Sequence, residues 1–168
     1  MKNKVIKILS ILVFLCMTMV MKSQASNLKL STNEREILPE NEIIVKIDTD
    51  KNIETATFYL KYDNTKLEYI ENLTSNVTTK DYPEEGTLRV VYLDPSLQGE
   101  KQLNFKFKAK SNIEDEAKIS ITNLTLQFVN DSTIYTDSNL EQSVFNTSIS
   151  IKQKSINMTD IRSLMIAI

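Results

Sequence analysis

The chain has 168 residues with 20 basic and 22 acidic side chains, no histidine and a single cysteine. These counts exclude histidine-based acid–base chemistry and the usual zinc sites, and a chain without a basic stripe lacks the electrostatic footprint of nucleic-acid binding. We therefore expect a protein that is not an enzyme, needs no cofactor and has no nucleic-acid partner.

The first 25 residues follow the pattern of a secretory signal peptide. Three lysines precede an almost wholly apolar run over residues 8–21, and Ser23 and Ala25 are small residues where a signal peptidase reads. The run is short for a membrane span, which needs about 20 residues, although a retained N-terminal anchor is a second open interpretation. Cleavage removes the only cysteine and four lysines, which leaves 16 basic against 22 acidic residues and a net charge of −6. We expect a secreted or cell-surface protein with no membrane contact after cleavage.

The rest of the chain is a series of short segments in which apolar and polar residues alternate, a pattern typical of β-strands. Residues 43–47 form the first such segment, and a polar stretch over 48–52 predicts a loop. Residues 58–70 then predict two strands joined by a turn at Asp63 and Asn64, whose short side chains can hydrogen-bond the backbone that follows. This stretch is a hairpin or a corner.

Four segments complete the series. Residues 72–82 predict a loop with a weak edge strand, and residues 88–93 are almost continuously apolar, as in a strand covered on both faces or at an interface. Residues 103–110 alternate most cleanly. The alternation over 119–128 changes phase near Asn123, which predicts a β-bulge. Because no helical period separates these strands, and Val144 to Ile151 closes the set, we predict one all-β sandwich or jelly roll.

Three motifs occur in order along these strands: the stretch 58–70, the pair Tyr82-Pro83, and the run 103–110. Together they resemble a bacterial cohesin domain over about residues 28–152. The resemblance implies a nine-stranded jelly-roll β-sandwich, a fold shared with carbohydrate-binding modules. It also implies a dockerin-type protein module as partner, in a cellulosome-type assembly that degrades polysaccharide.

In cohesins one sheet face carries recognition. On this chain the resemblance implies a role for Thr55 and Thr57, where well-known members have asparagine and aspartate, and for Tyr82, the aromatic of the Tyr-Pro pair. We add Tyr59 and Tyr92 as expected exposed contacts, because tyrosine offers a large rigid apolar area and a polar tip. The alternative is that these tyrosines are ordinary strand residues half covered by their neighbours.

Two further features have open interpretations. The lysines of the cleanest strand form a basic row, which we interpret as a solvated face: Lys106, Lys108 and Lys110. Residues 153–168 predict a short C-terminal helix that resembles the second half of a dockerin repeat, either as a degenerate remnant or as a plain terminal helix. Its preceding residues lack the ligands of a calcium loop, so no metal is expected. A carbohydrate-binding or surface-adhesion domain of the same fold is the alternative function, with polysaccharide as the partner.

Overall fold

The computed structural model describes residues 27–140 and 144–153. The predicted signal peptide over 1–25 and the tail beyond residue 153 lie outside the described residues. Within them the chain forms one short 3-10 helix, Pro83–Glu85, and ten strands. The strands are β1 (Leu28–Thr32), β2 (Glu36–Ile37), β3 (Glu42–Tyr62), β4 (Leu67–Asn72), β5 (Val77–Tyr82), β6 (Thr87–Leu93), β7 (Glu100–Ala109), β8 (Asp115–Phe128), β9 (Tyr135–Thr136) and β10 (Asn146–Ile151).

Strand β3 joins the two layers of the molecule, because its 21 residues belong to both. Its first half pairs with β1 and β7, and its second half pairs with β6 and β8, with a register shift between Asp48 and Ile53. The prediction of a loop over residues 48–52 is therefore wrong, because these residues belong to β3. Two polar side chains of this stretch instead bond to backbone ahead of and at the start of β7, because the Asn52 amide donates to the Gln98 carbonyl at 2.6 Å and the Thr49 hydroxyl donates to the Lys101 carbonyl at 3.1 Å.

The two layers pack face to face as a β-sandwich. One layer has the order β2-β10-β8-β3-β6-β5, and the other contains β1, β3, β7 and β4. The ring of Phe58 on β3 meets the edge of Phe105 on β7, with centroids 6.2 Å apart, and both side chains are buried. The predicted all-β jelly-roll sandwich is confirmed, with ten described strands where the resemblance implies nine.

The stretch 58–70 is a corner rather than a hairpin. Strand β4 pairs with β7 in the second layer, and not with β3, from which it follows in sequence. The turn itself is as predicted, because the Asp63 carboxylate accepts the Thr65 N–H at 3.1 Å and the Thr65 hydroxyl at 2.6 Å. The corner thus carries the chain from one layer to the other.

The predicted bulge in β8 is confirmed. Thr57 lies opposite Thr125 and Tyr59 lies opposite Thr122, so β8 has one residue more than β3 over the same length. The extra residue is Asn123, with φ of 53°. The bulge keeps the apolar side chains of both halves of β8 in the core, although their sequence phase differs.

Candidate functional site

The outward side of β5, β6, the second half of β3, and β8 forms a flat surface that we call the broad face. Cross-strand pairing arranges its side chains in four rows. In order from β5 to β8, row 1 contains Tyr82, Thr87, Lys61 and Ser120, and row 2 contains Lys80, Arg89, Tyr59 and Thr122. In the same order, row 3 contains Thr78, Val91, Thr57 and Thr125. Row 4 begins at β6 and contains Leu93, Thr55 and Gln127. None of the residues in these four rows has a carboxylate side chain.

Four of the five predicted site residues lie together on the broad face. Thr55, Thr57 and Tyr59 occupy successive rows on β3 and are half-buried, which leaves their outer edges open to a partner. Tyr82 lies on the edge strand β5 in row 1 and is also half-buried. Tyr59 and Tyr82 are thus strand residues whose side chains are half covered by their neighbours, as in the alternative interpretation of the tyrosines.

The prediction that Tyr92 is exposed is wrong. Its side chain is 1% exposed and points into the core between the layers. Burial, followed by the nearby charges of Asp94 and Glu100, raises the pKa of Tyr92 to about 12. The physical reason is strand parity: Tyr92 lies on the same side of β6 as Leu88 and Val90, so it belongs to the core.

Sequence reasoning missed the charged and aliphatic residues of the broad face. Arg89 is the residue in the sequence that indicates them, because an arginine is expected to be exposed and therefore shows which side of β6 faces outward. With Arg89 outward, Val91 and Leu93 are also outward, and the apolar run over 88–93 is one core face plus one exposed face. Leu93 is 58% exposed.

The apolar end of the broad face extends into the loop after β6. The buried Asp94 carboxylate organises this loop by accepting the N–H groups of Gly99 at 2.5 Å and Ser96 at 2.9 Å. These bonds, that from Gly99 first, lower the pKa of Asp94. Leu97 is held at φ of 57°, a left-handed conformation that is uncommon for leucine, with its side chain 59% exposed. Strained backbone of this kind occurs often at functional sites.

Tyr82 is positioned by the turn that follows it. The Asn64 amide donates to the Pro83 carbonyl at 2.8 Å, and the Tyr62 N–H donates to the Gly86 carbonyl at 2.8 Å. Gly86 has φ of 57°, and a Cβ there would lie 2.3 Å from the Tyr62 carbonyl oxygen. The turn therefore rests directly on the corner, which fixes one end of the broad face.

The outward side of the other layer, the lysine face, is different in its electrostatics. Lys106 forms ion pairs with Glu71 at 2.7 Å and Glu42 at 3.6 Å, and Lys108 pairs with Glu40 at 3.4 Å. Interpretation of the basic row as a solvated face agrees with this geometry. The charges of Lys106 and Lys108 are therefore compensated within the chain.

Other site types have little support in the described residues. A groove of about 630 Å³ borders row 1 beyond Lys61, and its lining includes the polar residues Ser120, Asn146 and Ser148 and the charged residues Asp63, Glu116 and Lys118. Over 27–140 and 144–153 no group of three or more acidic, cysteine or histidine side chains is placed to hold a metal ion. The same residues contain no helix long and apolar enough to cross a membrane.

Fold and surface together define a β-sandwich with one flat, uncharged-to-basic face and one ion-paired face. The family model for the cohesin domain matches residues 40–152. The chain belongs to the cohesin domain family. No curated protein matches it.

Solved cohesins have the same fold. The sixth cohesin of scaffoldin B from Acetivibrio cellulolyticus, in complex with a dockerin mutant, is 23% identical with a TM-score of 0.59 and covers 75% of this chain and 99% of its own. A seventh type I cohesin from Pseudobacteroides cellulosolvens is 18% identical, with a TM-score of 0.59 and coverage of 79% and 95%. A cohesin module from a Clostridium perfringens family 33 glycoside hydrolase is 13% identical, with a TM-score of 0.59 and coverage of 77% and 98%.

Proposed function

We propose that this chain is a secreted, non-catalytic module that binds a dockerin through the broad face. The observation that carries the proposal is the face itself, a flat array of hydroxyl, tyrosine and exposed aliphatic side chains on one layer of a cohesin. A solved cohesin in complex with a dockerin has the same fold. Interfaces of this kind combine apolar anchors with hydrogen-bonding groups at the rim.

Secretion and assembly complete the proposal. The signal-peptide pattern of residues 1–25 supports export, and the dockerin partner belongs to enzymes that degrade polysaccharide. The domain itself is proposed to span residues 28–152, and the tail after it has no assigned role. In this proposal the chain contributes binding, and its partner contributes catalysis.

The test is calorimetric titration of the full exported chain with a panel of dockerin modules encoded in the same genome. Binding by at least one module is expected. Thr57→Lys and Tyr82→Ala are then expected to weaken that binding at least about tenfold, because each alters a side chain at the centre or edge of the contact surface. Absence of binding across the whole panel contradicts the proposal.

A matched control separates contact from general damage. Leu93→Asp places a carboxylate on the broad face, and Ile70→Asp makes the same exchange on β4, where Ile70 is 40% exposed. We expect loss of dockerin binding with the first variant and retention with the second. Retention of the chain on cellulose, xylan or pectin, with no dockerin bound, supports the alternative carbohydrate-binding function instead.

A further inference from the structure

The broad face carries three cations that no described carboxylate compensates. Lys80 and Arg89 lie directly opposite each other on β5 and β6, and Lys61 lies in the adjacent row on β3. Within residues 27–140 and 144–153 none of the three forms an ion pair, whereas Lys106 and Lys108 on the lysine face are both ion-paired. All three are exposed.

This arrangement costs the folded chain stability. Like charges directly opposite across an antiparallel pair repel each other, and an intervening carboxylate would remove that cost. The chain is rich in acidic residues, with 22 of them, yet the four rows contain none. A repulsive pair that the chain leaves uncompensated becomes favourable when a partner supplies the anions.

Two of the cations are already held in place. The Lys61 ammonium donates to the Thr87 hydroxyl at 2.6 Å, and the Lys80 ammonium lies 5.0 Å from the centre of the Tyr82 ring. A cation over an aromatic face is attracted to it. Because these side chains are ordered before binding, less conformational entropy is lost when a partner arrives.

The aliphatic end of the same face limits the class of partner. Val91 in row 3 is half-buried, and Leu93 in row 4 and Leu97 in the loop after β6 are exposed aliphatic side chains at the end away from the cations. Sugars stack on flat aromatic rings, whereas aliphatic anchors fit apolar side chains of another protein. Arg89 and Leu93 are four residues apart on β6, about 13 Å along the strand. About nine residues of a helix span that distance.

We propose that the broad face binds a protein surface with an acidic end and an apolar end, in which carboxylates contact Lys61, Lys80 and Arg89 and apolar side chains contact Leu93 and Leu97. The inference rests on the proposed function and names the chemistry of the dockerin that fits. Among dockerin modules, those with two or more carboxylates at one end of their helical contact surface are the cognate partners.

The first experiment titrates the full exported chain with its strongest-binding dockerin at 25 and 300 mM NaCl. We expect the affinity to fall at the higher salt, because exposed charge pairs are screened. The double variant Lys80→Glu/Arg89→Glu is expected to weaken binding at least about tenfold at low salt. The control Lys46→Glu/Lys110→Glu makes the same change of net charge on the layer of the lysine face and is expected to retain wild-type affinity.

A salt-independent affinity, or equal affinity of the two double variants, overturns this inference and leaves dockerin binding intact. A second measurement covers the case in which no dockerin binds. Octaglutamate peptide titrated into the isotopically labelled chain at low salt is expected to shift the backbone amides of rows 1 and 2, and such shifts support the acidic-partner inference although dockerin binding has failed. Absence of shifts, or shifts produced by polygalacturonate and not by octaglutamate, overturns it.

Discussion

The Tyr62 hydroxyl donates a hydrogen bond of 2.9 Å to the Asp81 carboxylate, which ties the corner after β3 to the edge strand β5. Tyr62 is 7% exposed, and burial, together with this bond, raises the pKa of its hydroxyl above the usual range. Strand β5 pairs on one side with β6. The bond therefore anchors the strand that carries Tyr82 and Lys80.

We expect Tyr62→Phe to lower the free energy of unfolding by about 1 to 3 kcal/mol, because the half-buried Asp81 carboxylate loses its partner. Urea denaturation measures the change. Tyr59→Phe is the control, since the Tyr59 hydroxyl makes no hydrogen bond to a described residue, and it should leave stability almost unchanged. Equal stability of Tyr62→Phe and wild type contradicts the assigned role of the bond.

We expect Gly86→Ala to destabilise the chain by at least about 2 kcal/mol, because residue 86 has a left-handed backbone and its new Cβ would meet the Tyr62 carbonyl. Thermal unfolding followed by circular dichroism measures the loss. Glu84→Ala, an exposed change in the same turn, is the control. A wild-type melting temperature for Gly86→Ala would show that this turn does not hold the corner.

We expect stability to fall as the pH drops from about 4 to about 2, with a contribution from Asp131. The Thr133 N–H first, and then the Thr133 and Tyr135 hydroxyls and the Lys51 ammonium, lower the pKa of Asp131 to about 2. A carboxyl whose pKa is lower in the folded state stabilises it above the unfolded pKa, and this stabilisation is lost as pH falls through the folded value.

Urea denaturation between pH 2 and pH 6 measures this dependence. Asp131→Asn is expected to reduce stability at neutral pH and to flatten the acid limb of the profile. Glu114→Gln removes one carboxylate from an exposed position and is expected to keep the wild-type slope. The same slope for Asp131→Asn and wild type contradicts the prediction.

We expect substitution of the buried Tyr92 to lower mainly stability, and substitution of the half-buried Tyr59 to lower mainly dockerin affinity. Tyr92→Ala removes a large core side chain and should cost about 3 to 5 kcal/mol of stability. Tyr59→Ala removes a half-buried side chain from row 2 and should cost about 1 kcal/mol or less. Dockerin affinity, measured on the folded fraction, should fall with Tyr59→Ala. A larger loss of stability with Tyr59→Ala than with Tyr92→Ala would reverse the burial assignment.

Local features of the structure were predictable because their signals are local. The Asp63 turn depends on side chains that bond to backbone two residues away. The bulge at Asn123 depends on a change of phase that is visible in ten residues of sequence. The alternation over 103–110 correctly separates the core side of β7 from its lysine side.

Other features required the pairing of distant strands. The alternation of a strand separates its two sides without telling which one meets the core, so sequence alone predicts an exposed Tyr92 although this side chain lies within the sandwich. The polar stretch 48–52 looks like a loop, yet backbone from β7 and the loop before it keeps this stretch extended. The corner after Tyr62 leads into β4, which pairs with β7. The residues near the corner do not indicate this pairing, because β7 lies far along the chain.

The sequence by itself determined an all-β sandwich, its local turns and its cohesin motifs, since these depend on short-range periodicity and composition. The tertiary structure decided which charges are compensated. Lysines 106 and 108 look like a free basic row in the sequence, but carboxylates from β3, β4 and the turn before β3 neutralise them. Lys80 and Arg89 are nine residues apart in the chain, and only strand pairing brings them side by side on the broad face.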